Sequence, residues 1–252
     1  MLHTIIRSQI WLSTRFDSLL PARFTTDGNQ EFFRLVPALL KPGSTVWDIG
    51  GGKHPLVEPS VKRDRQLRVI GLDISGPELD AAPQGAYDET VVADISQFRG
   101  RGDADLVVCQ ALLEHVRDTA RAFAGISSIL KPGGTAILFT PSRNAAYARL
   151  NLWLPQALKR RLLFAIFREA TGQQGFPAYY DRCTPRQFRE LAAAAGLEVK
   201  EQHLYYQSGY FTFAFPIHFL WRLWMLVFAG LAPQTAAETF TLALVKNSSG
   251  DE

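Results

Sequence analysis

Cysteine is scarce in this chain: Cys109 and Cys183 are the only two in 252 residues. Two thiols cannot build a disulfide framework, so a reducing, cytoplasmic compartment is expected. Charge of one sign is also lacking. The 27 basic residues face 24 acidic ones, and a net charge of +3 is too small to indicate nucleic-acid binding by itself. Long hydrophobic runs are missing as well. Arg7 and Arg15 interrupt the N-terminal stretch before a secretory apolar region can form, and Pro216, His218 and Arg222 break the most apolar span, Tyr210 to Leu231. No repeat or low-complexity tract is present. What remains, 47% hydrophobic and 20% charged, suits one well-buried domain with appended segments rather than a disordered chain.

The chain is rich in aromatic rings, with 17 Phe, 7 Tyr and 5 Trp, but they are unevenly placed. Between Ser44 and Pro141 there are only Trp47, Tyr87, Phe98, Phe123 and Phe139. This lean segment alternates short apolar runs with turn or helical stretches. Thr45–Ile49, Leu67–Leu72, Thr90–Ala93, Ala104–Cys109 and Thr135–Thr140 read as strands. Val116, Ala120, Phe123 and Leu130 mark a helix that Lys131-Pro132-Gly133-Gly134 stops. Farther on, Thr184-Pro185-Arg186-Gln187 is a helix start and Gly196 a helix end, followed by strands near Leu197–Tyr206 and Thr239–Val245. The expected fold is α/β: a seven-stranded, mostly parallel Rossmann-like sheet with helices on both faces and a helical, aromatic-rich lid. Residues 44–141 form the core and 184–252 its C-terminal part. Residues 1–43, 142–183 and 210–231 are appended or inserted.

In such sheets ligands bind outside the carboxyl ends of the strands. Here those ends read Asp48-x-Gly50-Gly51-Gly52, Asp73, Asp94 and Gln110. A glycine loop lets backbone approach a ligand closely, and Asp73, 21 residues beyond Gly52, can accept hydrogen bonds from both hydroxyls of a ribose. Each acid taken singly could instead be a helix N-cap. A dinucleotide fingerprint would need glycine where Pro55 stands, and Pro55–Pro59 is a poor helix start for holding a pyrophosphate.

The set resembles class I S-adenosylmethionine-dependent methyltransferases. Val46-Trp47-Asp48-Ile49-Gly50-Gly51-Gly52 is similar to their first motif, Leu72-Asp73-Ile74 to the ribose acid, Ala93-Asp94-Ile95 to the adenine-side acid, and Lys131-Pro132-Gly133-Gly134 to the turn before the fifth strand. His54 stands where the family has a third loop glycine. The resemblance implies S-adenosyl-L-methionine as cofactor. Gly50, Gly51 and Gly52 would run under its methionine part and Asp48 would orient its amino group. Asp73 would hold the ribose, Asp94 the adenine amine, Ile74 and Ile95 the ring faces, and Gln110 would lie near the sulfonium. Carboxylates suit a ligand with an ammonium, a sulfonium and two ribose hydroxyls.

Gln110-Ala111-Leu112-Leu113-Glu114-His115-Val116 is similar to the Leu-Glu-His-Val stretch of ubiquinone-pathway O-methyltransferases, and His115 is the candidate base for a hydroxyl acceptor. Some members of that group hold a divalent metal on two glutamates and this histidine. Ala111 occupies the first of those positions, so no complete metal site is expected. The competing reading has Glu114 and His115 simply opening a helix, with Glu114 at its positive end. Cys109 reads as a small core hydrophobe and His54 as structural or solvent-facing. No nucleic-acid substrate is expected, because Cys109-Gln110-Ala111-Leu112 is not the motif that holds a flipped amine.

The flanks carry the remaining rings. Between Ser142 and Tyr180, Arg143, Arg149, Lys159, Arg160, Arg161 and Arg168 face a single acid, Glu169, and alternate with apolar residues. Three expectations stay open for these segments: a lid over an apolar or lipid-like acceptor, an interfacial membrane contact, and a dimer interface.

Overall fold

The computed structural model describes residues 2–153 and 176–248. Seven strands form one sheet: β1 (Thr45–Ile49), β2 (Arg68–Asp73), β3 (Glu89–Val92), β4 (Ala104–Gln110), β5 (Leu130–Pro141), β6 (Leu197–Tyr205) and β7 (Thr239–Lys246), in the order β3-β2-β1-β4-β5-β7-β6. The first five are parallel, and β7 runs antiparallel to both β5 and β6. The central strands β1, β2 and β4 are buried along nearly their whole length, as their unbroken apolar runs require of strands covered on both faces.

The helices are α1 (Leu2–Asp17), α2 (Gly28–Leu39), α3 (Pro59–Asp64), α4 (Gly76–Asp80), α5 (Thr119–Ile129), α6 (Ala146–Trp153), α7 (Pro185–Ala194), α8 (Phe215–Leu231) and α9 (Pro233–Ala236). One core cluster joins Trp47, Ile70, Phe123 and Phe188, and a second on the other face joins Phe32, Val46, Val69 and Phe139. The Thr184 hydroxyl accepts the Gln187 N–H to open α7, and Gly196, at φ +73°, follows its end, as the local residues predict.

Two expectations are corrected. Lys131-Pro132-Gly133-Gly134 does not precede β5 but bulges out of it: Ala104 pairs with Leu130 and Leu106 already with Thr135. Nor do Glu114 and His115 open the following helix. They form a short 3-10 turn, Leu113–His115, while α5 starts at Thr119 with Asp118 as its cap.

Among the described residues, helices α1 and α8 of the aromatic flanks stand at the carboxyl edge of the sheet. Gly28, the first residue of α2, lies so close to Tyr205 and Thr239 that a Cβ there would stand 2.5 Å from the Thr239 hydroxyl. Helix α1 packs on α8, with Phe16 against Phe215 and Phe219, and Ser13 Oγ donating to the Thr212 carbonyl at 3.0 Å. These two elements form a helical cap. Lys159, Arg160, Arg161, Arg168 and Glu169 of the basic insertion lie outside the described residues.

Candidate active site

Strand β1 delivers Asp48 to the carboxyl edge with its side chain turned under the glycine loop. Oδ2 accepts the Leu56 N–H at 2.7 Å, which folds the loop back over the carboxylate. Burial pushes the Asp48 carboxyl up to about 7, against the Leu56 N–H and Tyr87 hydroxyl that favour its charged form, with Asp73 adding to the rise. Among the described residues no cation pairs with this carboxylate.

The loop glycines have separate reasons. Gly50 takes φ +80° and abuts Leu112, whose position follows from Ala111 adopting φ +48° just after β4. At Gly51 a Cβ would stand 2.5 Å from Asp48 Oδ2 and 2.6 Å from the Tyr87 hydroxyl. At Gly52, φ +48°, it would stand 3.3 Å from Asp73 Oδ2. The loop thus brings Asp48, Gly51, Gly52 and Asp73 together.

Tyr87 organises this group, although nothing in its spacing marked it. Its hydroxyl donates to the Gly52 carbonyl at 3.1 Å and lies 3.5 Å from Asp48 Oδ2. Its ring lies across Gly71 of β2, where a Cβ would meet it at 2.9 Å.

Asp73 accepts the Ser75 N–H at 2.9 Å and Asp94 the Ser96 N–H at 2.8 Å. Neither caps a helix: Ser75 caps α4 and Asp118 caps α5. The two carboxylates hold short turns open at adjacent strand ends. Burial and the nearby Glu78 raise the pKa of Asp73, against the Ser75 and Ile74 N–H groups. Ile74 is 60% exposed at this edge, whereas Ile95 packs in the core with Phe123 and Ile126. Gln110 ends β4 and donates through Nε2 to Asn29 Oδ1 of α2, tying the glycine-loop edge to the N-terminal segment.

On the other side of β4 lies a second cluster. His115 Nδ1 is 3.0 Å from the Pro177 carbonyl. A carbonyl only accepts, so Nδ1 carries the proton and Nε2 is the basic nitrogen. Glu114 Oε1 lies 3.8 Å from that Nε2, and Oε2 accepts the Thr140 hydroxyl at 3.0 Å. Burial raises the pKa of Glu114, with His115 pulling it back. The Glu114 carbonyl accepts the N–H groups of Tyr179 and Tyr180, so the chain returning at residue 176 closes over this turn. Phe176 packs edge-on to the His115 ring, and Tyr147 stacks on Tyr210 at 4.1 Å. Among the described residues no three metal-ligating side chains cluster. Cys109 is fully buried and His54 is exposed.

The fit to S-adenosylmethionine rests on this chemistry: a buried Asp48 with no cation beside it among the described residues suits an ammonium, and Asp73 offers carboxylate oxygens to ribose hydroxyls at the neighbouring strand end.

A methyltransferase domain model matches residues 23–202, most of the chain. The chain is 29% identical over 170 residues to a ubiquinone biosynthesis O-methyltransferase of Burkholderia thailandensis, covering 64% of this chain and 67% of that protein. It is 26% identical over 166 residues to one of Aeromonas salmonicida, covering 63% and 65%; the chain thus spans about two thirds of these relatives. Among solved structures, an S-adenosylmethionine-dependent methyltransferase from Mesorhizobium loti superposes with a TM-score of 0.53 at 17% identity, covering 83% of this chain and 96% of that one. The cyclase SpnF gives 0.55 at 17%, covering 90% and 86%. At such identities these superpositions show the fold.

Proposed function

Because the chain belongs to the methyltransferase domain family and is an S-adenosylmethionine-dependent methyltransferase, we propose that it methylates a hydroxyl oxygen of a small apolar or lipid-linked acceptor. The observation that carries this reading is the His115 ring, fixed by Pro177 with its basic Nε2 beside the buried Glu114. A hydroxyl acceptor with a pKa near 10 has to lose its proton to become a good nucleophile, and a positioned base supplies that help.

In this reading Gly50, Gly51 and Gly52 support the methionine part of the cofactor, Asp48 its ammonium, Asp73 its ribose hydroxyls and Asp94 its adenine amine. The exposed Ile74 lies against the ring, whereas Ile95, expected on its other face, is buried in the core behind Asp94; Gln110 lies beside the reacting centre. The bound cofactor supplies an electrophilic methyl group on a cationic sulfur. His115 takes the acceptor's proton at Nε2, and Glu114, once ionised, stabilises the resulting imidazolium across 3.8 Å. The exposed rings of Tyr210 and Phe176 offer surface to an apolar acceptor, with the buried Tyr147 stacked behind Tyr210, aligning its oxygen and keeping water away. The unpaired, buried thiols of Cys109 and Cys183 support a cytoplasmic setting, with the acceptor drawn from a membrane surface.

Ala111 favours a second reading. A residue without donor atoms stands at the end of β4, so a protein that binds the cofactor without transferring its methyl group is the alternative. Cell-derived lipid and polar extracts incubated with methyl-labelled cofactor separate the two by mass spectrometry. Label in an organic-soluble methyl ether, with equimolar S-adenosylhomocysteine, supports O-methylation. Cofactor binding with no S-adenosylhomocysteine from any extract would leave the alternative.

A further inference from the structure

Helix α8 is inside out. Its only ionisable side chains, His218 and Arg222, are both 0% exposed, whereas Ile217 (53%), Leu220 (66%), Leu223 (42%), Val227 (58%) and Leu231 (77%) face outward. These outward positions recur every three or four residues and make one apolar stripe; His218, Trp221, Arg222 and Met225 make the buried one. A surface helix normally has the opposite arrangement.

The inward charges are held by a specific contact. Arg222 Nε donates to Asp17 Oδ1 at 2.7 Å, His218 Nε2 lies 3.0 Å from the same oxygen, and Arg222 also donates to the carbonyls of Phe24 and Tyr206. Burial works to raise the pKa of Asp17, but His218 and Arg222 outweigh it and hold it below its usual value. This pairing orients α8 about its axis, so the apolar stripe is not a packing accident. A contiguous outward stripe of aliphatic side chains is unfavourable in water and marks a surface that something apolar covers.

The surrounding charge identifies what covers it. Residues 206–237 contain no Asp or Glu, and residues 2–26 contain only Asp17, already taken by Arg222. The exposed charges of α1, beside α8, are Arg7 and Arg15, and α1 also exposes Ile5 and Trp11 (64%). A two-fold contact with a second copy would bring arginines toward arginines, whereas anionic headgroups complement them. Among the described residues no helix is long and apolar enough to cross a membrane. Helix α8 has 17 residues, enough to lie along a bilayer surface.

We propose that the outward face of α8, with α1 beside it, docks on an anionic phospholipid bilayer. This deepens the reading of a membrane-drawn acceptor, because the cap stands at the carboxyl edge that carries Gln110 and His115. Docking itself requires neither cofactor nor acceptor, so it can fail while methyl transfer stands.

The test uses the full chain with vesicles of phosphatidylglycerol and phosphatidylcholine, and with phosphatidylcholine alone. The protein should sediment with the anionic vesicles, more weakly as salt rises. Leu220→Glu with Leu223→Glu should weaken binding at least about tenfold while S-adenosylhomocysteine affinity stays unchanged. A polarity-sensitive fluorophore at Leu223→Cys should shift to the blue only when anionic vesicles are added. Three results would overturn the proposal: no sedimentation of the wild type, unchanged binding by the double variant, or a label already shielded without vesicles. A wild-type dimer that the double variant dissociates would overturn it too, by assigning the face to a second copy.

Discussion

The state of Asp48 makes binding of the cofactor depend on pH in a defined way. Burial pushes this carboxyl up to about 7 in the free protein, so near neutrality half of the molecules carry a proton there. An ammonium placed against Asp48 favours the ionised form, so binding must expel that proton. From pH 7 down to pH 5 the ionised share falls from about half to about 1%, and affinity should drop roughly fifty-fold. The amino group of the ligand stays charged throughout this window, since α-amino groups titrate near 7.7–8.0. Calorimetric titration of S-adenosylhomocysteine, repeated in buffers of different ionisation enthalpy, reads both the affinity and the proton released. Asp48→Asn, which keeps an acceptor for the Leu56 N–H, should bind more weakly at pH 7 and lose most of the slope. The sign for stability is opposite to that of an ion-paired acid. The folded pKa lies above the unfolded 3.8, so the cofactor-free protein loses up to about 4 kcal/mol from this group as pH rises from 4 to 7. Affinity constant within twofold from pH 5 to 7, with no proton release, would refute the assignment of the ammonium to Asp48.

Gly51→Ala places a methyl 2.5 Å from Asp48 Oδ2, so stability should fall by about 1–3 kcal/mol and cofactor affinity with it. Gly209→Ala, with nothing within 4 Å, should be near neutral in the same thermal melts. His115→Ala should lower turnover about 10²–10⁴-fold with unchanged S-adenosylhomocysteine affinity, and unchanged turnover would remove His115 from the mechanism. Arg222→Met alone leaves Asp17 short of its main partner and should cost about 3–5 kcal/mol in denaturant unfolding. Asp17→Leu, His218→Leu and Arg222→Met combined should recover most of that loss, because no unpaired charge stays buried.

The strands and acidic ends of this fold were legible because their signals are local. An apolar run followed by Asp or glycine marks a strand end wherever it occurs, and Thr184-Pro185 declares its helix without help from the rest of the chain. The bulge at Lys131–Gly134 was not legible, since a Pro-Gly pair that stops a helix and one that loops out of a strand look alike until the Ala104–Leu130 pairing is known. Tyr87 has no motif: its role arises from the gaps left by Gly51 and Gly71, brought together by the pairing of β1 with β2. Pattern reading fails most fully on α8. A hydrophobic period assigns charged residues to the outside, and only Asp17, 205 residues before Arg222, reverses that assignment. Residues 142–183 bear a charge excess that their sequence displays plainly, yet residues 154–175 lie outside the described structure.

The carboxyl edge of β1 and β2 is the proposed seat of S-adenosylmethionine, and Asp73 tests it most directly. Titration of S-adenosylhomocysteine into the wild type should show one site per chain. Asp73→Ala removes the carboxylate proposed to accept both ribose hydroxyls and should weaken binding by about tenfold to a hundredfold, without loss of fold by circular dichroism. Equal affinity in a folded Asp73→Ala protein, or no binding by the wild type, would contradict the account.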